Sequence, residues 1–366
     1  MGNVVLVVLV SMLSAAAAVL KSSPLSFYER LGSPKLVVAP MVDQSEAAFR
    51  QLCFRHGADL AYTPMIHSPH FAKKENGKFR EQQFDGLGEE EGGPLIAQFC
   101  GNNADTLVTA AKYIDHRVDA VDLNLGCPQR IAKKGAYGAF LLPDRKLCTE
   151  LVGALADNLD CPVTAKVRVL PKEQDTMDLL LSLEAAGASL ITVHGRGVER
   201  SKTRTGPCNW DIIARAKQTL SVPVVANGGM ETLADVEACL AFTGADACMS
   251  SEALLENPAL FDRTMEPLTN LSGLAVAERQ LSLAQEYLDL VRQYPPIYGL
   301  HYKVKSHLFK MLYRLLSAQT DVRSQLADSE CCEIEQFQDV VDILQERYGE
   351  GSTAVVKDGS WYRRHR

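Results

Sequence analysis

Between residues 35 and 252, short runs of apolar residues alternate with longer segments whose apolar positions have helical spacing. Parallel strands that are buried on both faces are almost continuously apolar, and each needs a crossover helix to reach its neighbour. Eight such runs occur, at residues 35–39, 60–63, 95–99, 120–124, 163–168, 190–194, 224–226 and 247–250. Eight strand and helix repeats predict an α/β fold, a closed (β/α)8 barrel of the TIM type.

The segments between the runs carry helix signals. Asp43 and Glu46 have the spacing of an N-cap residue and its capping-box partner, and Gly57 is a helix stop signal. We therefore expect a helix between residues 43 and 57. Three more amphipathic helices are expected after the last strand, at residues 275–294, 300–318 and 333–347.

This pattern divides the chain into four parts. Residues 1–24 form an apolar leader that could be a targeting segment, although it is short for a transmembrane helix and lacks the basic region of a secretory signal. Residues 25–265 are expected to form the catalytic barrel, and residues 270–349 a small helical domain. Residues 350–366 have no periodic pattern, which predicts a frayed tail.

Composition and charge narrow the class of protein. The hydrophobic fraction of 46% and the charged fraction of 23% are typical of a globular protein with a large core. A formal net charge of -7 excludes a uniformly basic protein, so any nucleic-acid contact must come from local patches. The ten cysteines include no Cys-x-x-Cys pair, so we expect reduced thiols, no bound metal and a cytoplasmic location.

Polar and reactive residues follow most of the predicted strands. The active sites of such barrels lie at the C-terminal ends of the strands. The residues at these ends are 39–42, 97–99, 124–128, Lys166 with Arg168, 194–196, 227–229 and 250–252. We therefore expect them to meet at one mouth of the barrel.

Several of these residues suit a phosphate-bearing cofactor. Asn227, Gly228 and Gly229 precede an expected helix and offer backbone N–H groups where such barrels bind phosphate, although a simple tight turn is the alternative. Lys166 lies mid-strand, where its charge needs a partner; a flavin is one, and the carboxylate of Asp122 is the alternative. Gln98 and His194 could bond the same planar ring system.

Cys127 lies between a glycine and a proline just past the fourth strand. This placement suits a rigid loop that holds a side chain over the barrel mouth. A cysteine thiol is mostly protonated near neutral pH and can act as a general acid. The alternative for any single cysteine is a buried apolar residue, which is our interpretation of Cys53, Cys148, Cys161, Cys239 and Cys248.

These motifs, taken together, are similar to those of the tRNA-dihydrouridine synthases, flavoenzymes that reduce specific uridines. The resemblance covers about residues 35–315 and rests on Ala39-Pro40-Met41, Asn124-Leu125-Gly126-Cys127-Pro128, Lys133-Lys134-Gly135, Gly138-Ala139, Lys166-Val167-Arg168, His194-Gly195-Arg196 and Asn227-Gly228-Gly229. The loop that starts at Leu123 most resembles the eukaryotic branch that acts at positions 16 and 17 of the tRNA D loop.

The resemblance implies tightly bound FMN as cofactor, NADPH or NADH as reductant and tRNA as substrate, in a protein we expect to be a monomer. Cys127 would protonate carbon 5 of the uracil while a hydride reaches carbon 6, and the base must leave its stack to react. The expected FMN contacts are Pro40, Met41, Val42, Gln98, Lys166, His194, Asn227, Gly228, Gly229, Ser251 and Glu252. The expected substrate contacts are Asn124, Arg168, Arg196, Lys303, Lys305 and Lys310.

Two features qualify this picture. Many family members have Gly-Arg where this chain has Ser251-Glu252, and a carboxylate cannot replace a guanidinium that holds phosphate, so only backbone N–H groups could serve there. The contact with RNA is expected from two basic runs, although such runs are often only solvated faces. The runs are Lys303, Lys305, His307, Lys310 and Arg314, and Arg196, Arg200, Lys202 and Arg204.

Two alternatives remain open. A flavin barrel that acts on a free pyrimidine, similar to dihydroorotate dehydrogenase, would explain the cofactor residues but not the basic helical domain. A tRNA-binding protein without catalysis would explain the basic runs but not Cys127 with Lys166.

Overall fold

The computed structural model describes residues 23–73, 75, 77–200, 205–349 and 351–363. The expected leader therefore lies almost wholly outside the described residues. The strands in the described residues are β1 Leu36–Val38, β2 Leu60–Tyr62, β3 Ile66–His67, β4 Leu95–Cys100, β5 Ala120–Leu125, β6 Val163–Arg168, β7 Ala188–His194, β8 Val224–Asn227 and β9 Ala247–Ser250.

The helices follow the strands as the repeat pattern predicts. Those up to the end of the barrel are α1 Pro24–Arg30, α2 Ala47–Arg55, α3 Ser68–Phe71, α4 Gly77–Gln83, α5 Ala104–Ala111, α6 Arg130–Lys134, α7 Arg145–Asn158, α8 Glu173–Ala185, α9 Trp210–Thr219, α10 Leu233–Thr243 and α11 Glu252–Glu256. Those after it are α12 Leu274–Gln293, α13 Leu300–Met311, α14 Tyr313–Ala318, α15 Thr320–Ala327 and α16 Ile334–Arg347. Short 3₁₀ helices lie at Gly88–Glu90, Asp115–Arg117, Gly138–Phe140 and Leu268–Asn270. No helix in this part of the chain is long and apolar enough to cross a membrane.

Eight of these strands close into a parallel barrel. β1 pairs with β9 on one side and with β2 on the other, and β2 pairs directly with β4. The strands β4 to β9 then pair in chain order. β3 extends only the end of β4, where Ile66 lies opposite Phe99. The predicted (β/α)8 barrel is confirmed, with β3 as an addition that the pattern did not indicate.

The interior of the barrel is apolar at one end and polar at the other. Ile96, Ala120, Leu190 and Val225 belong to an apolar cluster that α1 closes with Phe27, Tyr28 and Leu31. Every second residue of a strand points to the same face, so two steps along each strand lead to Gln98, Asp122, Thr192 and Asn227. The strand pattern therefore directs polar side chains to the mouth at the C-terminal ends.

The pattern of apolar residues did not predict α1, which covers the closed end of the barrel. Its N-terminus has a recognisable signal, because Ser23 is the N-cap and accepts a hydrogen bond from the Ser26 backbone N–H at 3.2 Å, with Pro24 in the first turn. The helix buries Phe27 and Tyr28 against the strands.

The start of α2 differs from the prediction. Asp43 has a positive φ of 57° and lies in a turn, and the helix begins only at Ala47. The Ala47 backbone N–H donates to Asp85 Oδ2 at 2.8 Å, so a distant carboxylate caps the helix. The predicted capping box is wrong because the carboxylate of Glu46 is bound elsewhere. Gly57, with a φ of 88°, follows the helix as expected.

The carboxylate of Glu46 joins the barrel to the helices that follow it. Glu46 Oε1 accepts from the Tyr287 hydroxyl at 2.7 Å, and Glu46 Oε2 lies 3.1 Å from His307 Nε2. The His307 ring also stacks on Phe49 of α2, with centroids 4.5 Å apart. Burial lowers the pKa of His307, whereas His307 and Tyr287 lower the pKa of Glu46 against the opposing effect of its burial. The imidazole of His307 and the carboxylate of Glu46 are thus joined by a hydrogen bond that is buried on both sides.

The helices after the barrel are more divided than predicted. The expected helix at 300–318 is interrupted at Leu312, which separates α13 from α14, and α15 was not predicted at all. Residues 359–363 also differ from the expected frayed tail, because Ser360 and Tyr362 both donate hydrogen bonds to Glu256.

We expect Glu46→Ala to lower the free energy of unfolding by about 2 to 5 kcal/mol, because it leaves a tyrosine hydroxyl and a histidine nitrogen buried without their partner. Chemical denaturation monitored by circular dichroism measures the change. Glu335→Ala removes an exposed carboxylate and is the matched control. Equal stability of the two variants would contradict the role of Glu46.

Candidate active site

The strand register brings the predicted residues together in rows at the barrel mouth. Asn124 lies opposite Lys166 across β5 and β6. Two residues further along β6, Arg168 lies opposite His194 of β7, and His194 in turn lies opposite Asn227 of β8. Residues that are more than a hundred positions apart in the chain therefore form one continuous arc.

A chain of buried hydrogen bonds runs from the barrel interior to Cys127. Asp122 accepts from Gln98 Nε2 at 2.8 Å and from Thr164 Oγ1 at 2.7 Å. The Asn124 amide nitrogen donates to Gln98 Oε1 at 2.7 Å, which fixes the orientation of the Asn124 side chain. Burial raises the pKa of Asp122 to about 6. Gln98 and Asn124 therefore both have hydrogen-bond partners inside the barrel.

The loop that carries Cys127 is held on both sides. Asn124 Oδ1 accepts from the backbone N–H groups of Gly126 at 3.1 Å and Cys127 at 2.9 Å. Arg168 Nε donates to the Gly126 carbonyl at 2.9 Å, and the Ala139 N–H donates to the Cys127 carbonyl at 3.1 Å. The Cys127 side chain is half-buried. The predicted rigid loop thus has a physical basis in four hydrogen bonds.

Gly138 is required by the close approach of the Cys127 loop. Its φ is 66°, and a Cβ at this position would lie 2.8 Å from the Cys127 carbonyl oxygen and 3.0 Å from the Cys127 Cβ. No side chain fits there without displacing the cysteine. Cys127 packs on its other side beside Cys100 and Tyr137.

Lys166 bonds a neutral amide instead of a carboxylate. Its Nζ donates to Asn227 Oδ1 at 2.9 Å, while Asp122 is bound by Gln98 and Thr164. The alternative of a direct Lys166–Asp122 pair is therefore wrong. Burial, together with the charge of Arg168, lowers the pKa of Lys166 to about 8. Among the described residues, the hydrogen-bond acceptor of the ammonium group is the neutral Asn227 amide, and the Asp122 carboxylate opposes the lowering of the Lys166 pKa only in part.

Two buried arginines, Arg168 and Arg196, bond the backbone of the loop that follows β7. Arg168 also donates through Nη1 to the carbonyls of Gly197 and Arg200, both at 2.9 Å. Arg196 donates from Nε to the Gly206 carbonyl at 3.1 Å and from Nη1 to His194 Nε2 at 3.3 Å. Burial, with repulsion from Arg196, lowers the pKa of Arg168 to about 10. These arginines order the loop after β7 and place positive charge around His194.

A cavity of about 760 Å³ opens beside these residues. This volume lies within the range of roughly 300–1,000 Å³ that is common for small-molecule and cofactor sites. Among the described residues, its wall contains four arginines and one carboxylate, which are Arg130, Arg168, Arg196, Arg200 and Glu252. Such an excess of positive charge favours an anionic ligand. The wall therefore fits a phosphate-bearing cofactor.

The loop after β8 forms one side of this cavity with its backbone. Gly228 and Gly229 have φ values of 105° and 93°, and a Cβ on Gly228 would lie 2.7 Å from the His194 ring. Glycine is thus needed for this loop to lie against His194. The start of α10 is less open than expected, because Asp235 accepts from the backbone N–H groups of Glu231 and Thr232. The backbone N–H groups of Glu231 and Thr232 are therefore not available to a phosphate, whereas the glycine loop and the arginines of the wall line the cavity.

The cavity brings together only part of the predicted cofactor residues. The predicted residues in its wall are His194, Asn227, Gly228, Gly229, Ser251 and Glu252. Lys166 does not line the cavity, but it bonds Asn227, which does. Gln98 does not line it either and is connected to Cys127 by the hydrogen bonds of Asn124. Pro40, Met41 and Val42 lie outside the wall. Val42 is 47% exposed, so its side chain does not pack into the barrel.

The expected basic face on the helical domain does not exist as one surface. Lys303, His307 and Lys310 are buried. Lys310 donates to the side chains of Gln44 and Ser306, and the Lys303 ammonium lies 5.6 Å from the Tyr298 ring centre. Lys305 is partly exposed and donates to the Asp328 carbonyl at 2.5 Å. In the second basic run, Lys202 and Arg204 lie outside the described residues.

Sequence reasoning missed two kinds of residue in the wall. Gln129, Arg130 and Ile131 follow the motif at Cys127 and line the cavity, which the spacing after that motif could have indicated. Tyr362 lines the cavity from the far end of the chain. No local signal in the sequence predicts that placement.

Comparisons with known proteins point to one family. The sequence profile of the family described as "Dihydrouridine synthase (Dus)" matches residues 37–346. A protein of Schizosaccharomyces pombe named "tRNA-dihydrouridine(16/17) synthase [NAD(P)(+)]" is 40% identical over 327 residues, which cover 88% of this chain and 80% of that protein. The Saccharomyces cerevisiae protein of the same name is 40% identical over 82% of this chain and 70% of its own length.

Other relatives extend beyond the matched region. The Mus musculus protein named "tRNA-dihydrouridine(16/17) synthase [NAD(P)(+)]-like" is 42% identical over 82% of this chain, and the match spans 60% of its own length. Among solved structures, a complex of 2-naphthoyl-CoA reductase aligns with 90% of this chain and 71% of its own, with a TM-score of 0.54 and 10% identity. That likeness concerns the fold alone.

We expect Gly138→Ala to lower the free energy of unfolding and to change the reactivity of Cys127. Alanine in the left-handed region costs about 1 to 2 kcal/mol, and crowding of the Cys127 loop adds about 1 to 3 kcal/mol. Gly244→Ala is the matched control, because Gly244 has a φ of 65° with nothing near its Cβ position. Denaturation and the alkylation rate of Cys127, followed by mass spectrometry, measure both effects; identical behaviour of the two variants would refute the contact.

Proposed function

Because the chain belongs to the dihydrouridine synthase family, we propose that it reduces uridine to 5,6-dihydrouridine in tRNA, at positions 16 and 17 of the D loop. The observation that carries the proposal is the hydrogen-bonded loop that fixes Cys127 at the barrel mouth, beside a cavity with a cationic wall. The names of the similar yeast proteins support tRNA as the substrate and the two positions.

We propose FMN as the bound flavin and NADPH or NADH as the reductant. A flavin bound in the cavity would supply the hydride that the reduction of the uracil requires. Lys166, His194 and Asn227, with the backbone of Gly228 and Gly229, are the residues that would hold it. The excess of arginine in the wall suits its phosphate, and the charge of Lys166 suits an electron-rich ring.

The role of Cys127 follows from the chemistry of the product. Reduction of the uracil double bond adds a hydride equivalent at carbon 6 and a proton at carbon 5, and the Cys127 thiol provides that proton. The thiolate that remains regains a proton from solvent. Asn124 and Arg168 hold the backbone that leads into Cys127, and the Ala139 N–H holds the Cys127 carbonyl, so the loop around the sulfur is fixed while the proton moves.

We also propose that Arg196 and Lys305 contact the phosphates of tRNA. Arg196 is buried beside His194, so it could reach only the part of the tRNA that enters the mouth. Lys305 is the most accessible of the three lysines that we assigned to the substrate. Lys303 and Lys310 instead keep α13 against its neighbours. A cytoplasmic, monomeric protein remains our expectation.

We expect Cys127→Ala to bind FMN and tRNA as the wild type does and to form dihydrouridine at least about 100-fold more slowly, because the general acid is lost. Purified protein is incubated with unmodified tRNA and NADPH, and dihydrouridine at each position is measured by mass spectrometry. Cys332→Ala, in the helical domain, is the matched control. If Cys127→Ala forms dihydrouridine at the wild-type rate, Cys127 is not the proton donor. If the protein forms product only from free uridine, tRNA is not its substrate.

We expect Lys305→Glu to weaken tRNA binding and to reduce the slope of log affinity against log salt concentration by about one, because one phosphate contact is lost. Filter binding at several salt concentrations measures both quantities. Lys146→Glu makes the same charge change at an 87% exposed side chain on α7. If the two variants bind tRNA equally well, Lys305 is not part of the interface.

A further inference from the structure

The last described residues of the chain lie beside the barrel mouth. The Gly359 carbonyl accepts from Arg314 Nε at 2.7 Å. Ser360 Oγ and the Tyr362 backbone N–H both donate to Glu256 Oε2, at 2.5 Å and 2.8 Å. Arg363 forms an ion pair with Glu231 at 2.6 Å. We call this segment, residues 359–363, the C-terminal strap.

The anchors of the strap come from three separate parts of the fold. Glu256 ends α11, the helix after β9, and is itself buried. Glu231 follows the glycine loop after β8, and Arg314 belongs to α14 in the helical domain. Trp361 packs against the main core, with the Lys310 ammonium 5.3 Å from its ring centre. The strap is therefore held against both the barrel and the helical domain.

Tyr362 occupies a special place in the strap. It is only 7% exposed, and it lines the cavity of about 760 Å³ together with Gly228, Gly229 and Ser251. It also lines a second cavity of about 330 Å³, whose wall includes Glu231 and Glu256. Tyr362 thus lies between the two cavities and shares the wall of the larger one with the glycine loop.

We propose that Tyr362 is a wall of the cofactor site and that the C-terminal strap retains the bound flavin nucleotide. This inference rests on the proposed function, since it takes the larger cavity as the flavin site. A large aromatic side chain at this place separates the larger cavity from the second one. Its removal would join the two cavities and open an exit beside the glycine loop.

The physical consequence concerns the release of the cofactor. A ligand that is enclosed by a buried wall dissociates slowly, and changes to such a wall act mainly on the dissociation rate. The anchors of the strap lie outside the catalytic loop, which Asn124 and Arg168 hold independently. Loss of the Tyr362 ring should therefore weaken cofactor retention without moving Cys127.

The test compares flavin binding by four full-length proteins: wild type, Tyr362→Ala, Tyr362→Phe and Val355→Ala. Val355 is 68% exposed in the same terminal segment and is the matched control. Free FMN released on dilution is followed by its fluorescence, and apo protein is titrated with FMN. We expect Tyr362→Ala to release FMN about tenfold faster, and Tyr362→Phe and Val355→Ala to behave as the wild type.

The outcomes separate the inference from the function on which it rests. If wild type and Tyr362→Ala hold FMN equally well, the strap is not part of the site. If the wild type binds no flavin, the proposed function itself fails. Thermal unfolding of the flavin-free variants controls for the fold, and Tyr362→Leu, which keeps an apolar side chain, replaces Tyr362→Ala should the latter unfold. Unchanged FMN release by Tyr362→Leu would overturn the proposal as well.

Discussion

Closure of the barrel is the constraint on which the other features depend. Once eight parallel strands pair in a ring, every second residue of each strand must point into a narrow interior that α1 closes at one end. Polar side chains can occupy that interior only if they bond one another or lie near the open mouth. Asp122, Gln98 and Thr164 meet the first condition by bonding one another, and Lys166 and His194 meet the second by lying near the mouth.

The buried polar layer connects stability with chemistry. Asp122 accepts two hydrogen bonds and orients Gln98, which in turn orients Asn124. The Asn124 oxygen then determines where the backbone of Cys127 lies. A catalytic side chain on a loop is therefore positioned from inside the barrel, so the loop needs no secondary structure of its own to stay in place.

Charge is distributed unevenly around the mouth, and this has an energetic cost. The pKa of Lys166 falls to about 8 and that of Arg168 to about 10, because burial opposes both charges and because Arg168 repels Lys166 while Arg196 repels Arg168. A bound anion would relieve that repulsion, which is the physical reason to expect a phosphate-bearing cofactor. Glu252, also in the wall of the cavity, is where the chain departs most from this scheme. The C-terminal strap contributes Tyr362 to the same wall and is fixed by the carboxylates of Glu231 and Glu256.

Local sequence determined the barrel and most residues of its mouth, because strand periodicity and the position of a residue along its strand are local properties. Cys127, Lys166 and His194 could be placed at the mouth in this way. Only the tertiary structure decided which groups bond each other. The carboxylate of Glu46 bonds two helices of the helical domain instead of capping α2, Lys310 is buried instead of solvated, and Tyr362 lies at the cavity. These contacts join residues that are more than a hundred positions apart in the chain. Helical spacing alone does not tell which side of a helix faces the core. The energies of these contacts are therefore set by tertiary packing and not by neighbours in the sequence.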